Sequence, residues 1–170
     1  MQTTTLKLYS LEYKEAKTYL AASLFVLGNL AMPQLFHLIP QGGVIWLPIY
    51  FFTLVGAYKY GWKVGLLTAV TSPLLNALLF GMPAVTGLPA ILLKSVLLAG
   101  AAGYAASRFR KASLGLLLSV VLAYQLIGTL GEWAMKKDFW IAVQDFRIGI
   151  PGMLLQLFGG WLFINHIIRK

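Results

Sequence analysis

One lysine in this chain sits where charge is expensive. Lys94 lies inside an apolar run, six residues past Leu88, or ~9 Å along a helix that rises about 1.5 Å per residue. Charged side chains within membrane-spanning segments are costly and usually serve a ligand, a partner charge or a cavity. Two readings of Lys94 stay open. Its ammonium holds a carboxylate or phosphate in a cavity, or it snorkels to the headgroups or pairs with an acid such as Glu132.

Other polar side chains stand at comparable depth. Gln34, His37 and Gln41 form a polar group around the end of the first apolar run. They read either as hydrogen-bonding contacts to a solute or as an ordinary interfacial cap. Asn76, Gln125, Thr129 and Gln156 occupy the corresponding halves of later runs. Amides in lipid need partners, and either a shared cavity or bonds between helices would supply them. The connector 132–147 adds Glu132, Trp133, Trp140, Asp145 and Arg147. Glu132 and Lys136 are spaced to pair on one helical turn. The two tryptophans read as a stacking platform or as part of an aromatic belt.

Several chemistries are excluded by type. There is no cysteine, and no second histidine stands at ligand spacing from His37 or His166, so no metal site and no cofactor is expected. No phosphate-binding loop, nucleophile elbow or zinc-protease helix motif occurs. No series of carboxylates crosses the apolar runs, which counts against an ion-coupled carrier acting by itself.

The elements that must position these groups follow from composition. Of the 170 residues, 59% are hydrophobic and only 11% charged, against roughly 25% charged in soluble domains. Lipid is therefore the expected solvent, and 1–170 reads as one membrane domain. A span takes about 20 residues. Six apolar runs, at 18–39, 44–58, 62–80, 88–107, 112–131 and 148–168, nearly exhaust the chain after an interfacial segment at 1–17. Proline is expected to kink or end the first run at Pro33 and to break the third at Pro73. The expectation is an all-α bundle of six transmembrane helices.

The net charge of +9 sits in the connectors, where it sets topology and does not mark a nucleic-acid surface. With the N-terminus inside, the inner segments hold ten basic residues, the outer ones three, and Lys94 lies within a span. Both termini are then cytoplasmic, in a multi-pass protein of the inner (cytoplasmic) membrane. Gln34, His37, Gln41, Asn76, Glu132, Asp145 and Arg147 would then collect on the outer side.

Small residues recur every fourth position at Ala57, Gly61, Gly65 and Ala69, across the hairpin turn Tyr58-Lys59-Tyr60-Gly61-Trp62-Lys63. Such a stripe lets helix backbones approach closely in lipid. It serves docking on a partner or packing within the chain.

Six short spans, outer polar clusters, a basic inner side, and the run LPIYFFTLVGAYKYGWKVGLLTAVTSPLLNALLFGMPA followed by LPAILLKS together resemble the substrate-binding (S) components of energy-coupling factor transporters. The resemblance covers all six spans and is strongest over 44–107. It implies a binding subunit, not an enzyme, for a vitamin or related micronutrient. It also implies a membrane coupling subunit and two ATPase subunits as partners.

By position, the resemblance implicates Gln34, His37, Gln41, Asn76, Lys94, Gln125, Glu132, Trp133, Asp145, Arg147 and Gln156 in binding. Lys94 and Arg147 hint at an anionic group on the ligand. Docking in that family often uses an alanine-x-x-x-alanine face on the first span. Here that span offers Ala21, Ala22, Ser23, Gly28 and Ala31 without that pattern, and the stripe from Ala57 to Ala69 is the cleaner face. Two rivals from other classes are a small enzyme acting on lipid or isoprenoid through Lys94, His37 and Glu132, and an accessory subunit with no ligand.

Overall fold

A computed structural model describes residues 8–167. Lys7, Arg169 and Lys170 of the charge count, the start of the expected interfacial segment and the last residue of the sixth span lie outside the described residues. The fold is helical throughout: α1 Ala16–Phe36, α2 Gly42–Trp46, α3 Phe51–Tyr60, α4 Trp62–Phe80, α5 Leu88–Phe109, α6 Leu114–Lys136, α7 Phe139–Ala142, α8 Gln144–Arg147 and α9 Ile150–Ile167.

Among the described residues five helices are long and apolar enough to cross a membrane: α1, α4, α5, α6 and α9. The second expected span is not one of them. It is divided into α2, a 3₁₀ turn at Pro48–Tyr50 and α3. Leu47 adopts φ 46°, ψ 45°, and Pro48 brings no N–H to continue a helix. The ten residues of α3 rise only ~15 Å. A short helix suffices because α3 lies inside the bundle, with every residue from Thr53 to Lys59 buried. It packs against α1, α4, α5 and α9, and the outer helices neighbour one another in the order α1, α4, α5, α6, α9.

The first helix ends within one turn of Pro33, as expected, whereas Pro73 interrupts nothing. Pro33 falls in the last turn of α1, and α4 runs unbroken through Pro73. Pro73 sits on a buried face, where neighbouring helices can tolerate the lost backbone bond.

The α3–α4 turn depends on Gly61, at φ 100°, a conformation that side chains disfavour. The stripe then closes the hairpin. A Cβ built on Gly65 would lie 2.3 Å from that of Ala57, so only glycine admits this approach. Ala57 and Ala69 are fully buried. One turn further round, Gly103 of α5 receives Trp62 in the same way, its Cβ position 2.4 Å from that of Trp62.

The surface is inverted relative to a soluble protein. Leu20, Leu24 and Leu27 of α1, Leu78 and Leu79 of α4, Leu126, Ile127 and Leu130 of α6, and Leu154, Phe158 and Leu162 of α9 all point outward. At one end of the bundle the chain before α1 pairs with the end of α3, Tyr9 N–H donating to Lys59 O at 2.8 Å and Leu11 N–H to Tyr60 O at 3.1 Å. Glu12 pairs with Lys63 there, and Tyr58 Oη donates to Lys111 O at 2.5 Å. The opposite end carries α2, α7, α8 and the cavities described next.

Candidate binding site

Two adjoining cavities open at that opposite end, and Gly43, Val44, Ile49 and Ile91 line both. The first, about 280 Å³, is walled by prolines and aliphatic groups, with His37 and Asn76 as its polar members. The second, about 180 Å³, is lined by Tyr50, Lys94, Glu132, Lys136, Gln144 and Asp145 among others.

The second cavity is built around Lys94. Its stem lies over Gly128 of α6, where a Cβ would come within 2.5 Å of Lys94 Cγ. Glycine there lets α5 and α6 close until the ammonium reaches the next turn of α6. Lys94 Nζ donates to Glu132 Oε2 at 2.6 Å and to Asp145 Oδ2 at 2.8 Å. Asp145 is brought in by the four-residue α8. Glu132 Oε1 takes the ammonium of Lys136 at 2.7 Å, the i,i+4 pair that the spacing predicts. Lysine and carboxylate thus alternate along Lys136–Glu132–Lys94–Asp145. Burying one of these charges without its partners would cost several kcal/mol, and the four together satisfy that need. The positive charge of Lys94 is met by two carboxylates.

Further into the bundle lies a second polar group. Gln125 Nε2 donates to Tyr124 Oη at 3.0 Å, which donates to Gln156 Oε1 at 2.8 Å. Gln125 Oε1, Gln156 Nε2, Thr129 Oγ1 and Ser95 Oγ are buried with no hydrogen-bond partner among the described residues. Gln156 stands in a π-helical stretch, Leu155–Gly159, a local widening of α9 of the kind common at functional positions. The rings of Tyr50 and Tyr124 meet at 5.5 Å, which places Tyr50 between the charged cavity and the two glutamines.

Asn76 is held differently. Its Nδ2 donates to Asn29 O at 2.9 Å and Ser72 O at 3.1 Å, and its Oδ1 accepts from Gln34 Nε2 at 3.4 Å. Asn29 in turn bonds Thr53, Ser72 and the backbone N–H of Phe52. This network ties α1 to α3 and α4.

Of the residues expected in a site, the cavities gather His37, Asn76, Lys94, Glu132 and Asp145. Gln34 supports Asn76. Gln125 and Gln156 sit beneath Tyr50. Gln41 is exposed at φ 57° before α2, Trp133 is exposed and packs edge-on against Phe139, and Arg147 lies 5.4 Å over the ring of Trp140. None of these three lines either of the two cavities. Tyr50, Tyr124 and Gln144 were missed. Tyrosines next to Phe51 and in the apolar run of α6 carry no sequence signal that separates them from core. Of the stripe, Ala57, Gly65 and Ala69 are buried and Gly61 is half-buried beside Ser10, while Ala22 of α1 lines a shallow groove with Ser23, Val26 and Leu30.

A lipid-faced helical bundle with a polar chamber at one end is the architecture of a membrane protein that binds a small molecule within itself. The family profile for the ECF transporter, substrate-specific component, matches residues 19–167, and the chain belongs to that family. It is a multi-pass membrane protein of the transport class and the substrate-specific component of an importer, a family of transporter parts and not of enzymes. No match is found among curated proteins or among solved structures.

Proposed function

We propose that this chain captures a vitamin or related micronutrient in the paired cavities and hands it to a membrane coupling subunit driven by two ATPase subunits. The single observation that carries this reading is the chamber: two adjoining cavities lined by His37, Asn76, Lys94, Glu132 and Asp145. The excess of basic residues at the other end supports an outward-facing chamber, with both termini in the cytoplasm of a cell whose inner membrane holds the protein. Supply of energy by separate subunits agrees with the lack of a phosphate-binding loop in the chain.

The test is ligand retention and thermal shift. Protein purified in mild detergent is expected to carry a small metabolite identifiable by mass spectrometry. A vitamin panel should raise its melting temperature, since a ligand at 100 times its Kd adds about 2.7 kcal/mol to the folded state. Absence of any retained compound, with no shift from the panel, would overturn the reading and favour a ligand-free accessory role.

A further inference from the structure

We infer that the cavity at Lys94 takes a head group of no net charge that carries both hydrogen-bond donors and acceptors, and that it disfavours simple anions. The inference rests on the reading of the chamber as the substrate site and narrows its ligand class.

The four charges that line this cavity are two lysines and two carboxylates, so their sum is zero. Arg147, the other cation of the same connector, is directed onto Trp140 and lies outside the cavity lining. No spare positive charge therefore faces the chamber from α5, α6 or α8. His37 belongs to the adjoining cavity, not to this one. Apart from the neutral amide of Gln144, the rest of the lining is apolar or aromatic, including Val44, Leu47, Ile49 and Ile91, which strengthens each electrostatic interaction relative to water.

A ligand of charge −1 entering here would meet Glu132 and Asp145 as well as two lysines already committed to them. The filled site would hold a buried, uncompensated negative charge, an unfavourable state without a further partner. A neutral or zwitterionic group brings no such cost.

The alternating chain also leaves matching valences. Lys94 uses two of its three N–H bonds, and Asp145 Oδ1 accepts none from the described residues. A group offering one acceptor and one donor, such as an amide, a lactam-type ring or an amino-acid-like zwitterion, satisfies both. The neighbouring cavity, walled by Pro33, Pro48, Pro83 and Met82, receives an apolar body. The whole ligand is thus a neutral amphiphile lying across Val44 and Ile49.

The test uses matched pairs that differ in charge: nicotinamide and nicotinate, pantothenol and pantothenate, pyridoxal and pyridoxal 5′-phosphate. Thermal-shift titrations of the full-length purified protein are run at pH 7, and any compound retained through purification is identified by mass spectrometry. The expected result is a binder of zero net charge, from a pair or from the retained fraction, held at least tenfold more tightly than its anionic counterpart. Asp145→Asn, which leaves the cluster at +1, should cut or reverse that preference by tenfold or more. If that variant fails to fold, Glu132→Gln makes the same change of charge. A binder of net negative charge held as tightly as its neutral partner, or more so, would overturn the inference and leave the binding function standing. Failure of every probe, with nothing retained, would instead remove the binding reading itself and the inference with it.

Discussion

Two buried polar networks of similar size behave in opposite ways. Around Asn29, every side-chain amide is used: Asn29 and Asn76 bond Thr53, Ser72 and backbone groups of three helices. Around Lys94 and the two glutamines, the charges cancel in sum, but four neutral polar atoms have no hydrogen-bond partner among the described residues. A saturated network holds helices together. A network with spare valences, next to a cavity, holds them in readiness for something else. Unsatisfied buried polar groups cost about 1–3 kcal/mol each, so a fold retains them only where another role offsets that cost. The difference separates the fully bonded network that ties α1 to α3 and α4 from the network with spare valences at α5, α6 and α9.

That contrast can be broken by substitution. The largest effect is expected from Lys94→Met, which strands Asp145 and leaves Glu132 with Lys136 alone. A loss of about 3–5 kcal/mol is expected, read as a lower melting temperature in detergent together with lost ligand binding. A variant of normal stability would show that the cluster is not closed by Lys94.

Asn29→Leu comes next. It orphans Thr53, Ser72 and the Phe52 N–H, at a cost of about 2–3 kcal/mol. Ligand affinity, measured in the surviving folded fraction, should change less than threefold. A large loss of affinity at small cost in stability would merge the two networks into one site.

Gln125→Leu should do the reverse. It removes an amide with only one bond, to Tyr124, so about 1 kcal/mol or less of stability is at stake, while affinity should fall tenfold or more. Equal affinity would place Gln125 with the scaffold. Thr129→Val is the mildest change. The hydroxyl has no partner among the described residues, so stability should stay level or rise by a few tenths of a kcal/mol. Any loss of binding would then report a direct contact.

How much of this was legible beforehand differs by level. The helical membrane class follows from apolar content, and the pairing of Lys94 with Glu132 was one of two readings left open by their placement in the chain. Asp145 as the second partner was not legible, because the short helix that delivers it lies in a polar connector whose path depends on packing. The core position of α3 was equally hidden. Its apolar run looks like any other span until its neighbours surround it. The stripe through Gly65 allowed docking or internal packing, and hydropathy does not distinguish lipid from protein as the neighbour of a small residue.

By itself, the sequence determined the solvent and the inventory: a chain too apolar for water, with a few ionisable and amide groups set at matching depth. Those are sums over residue types, and they do not depend on who touches whom. Only the tertiary structure decided which amides are spent on one another and which are spare, and that the charge on Lys94 is cancelled. Hydrogen bonds and ion pairs act over about 3 Å, a distance that chain spacing cannot resolve between residues 38 and 51 positions apart.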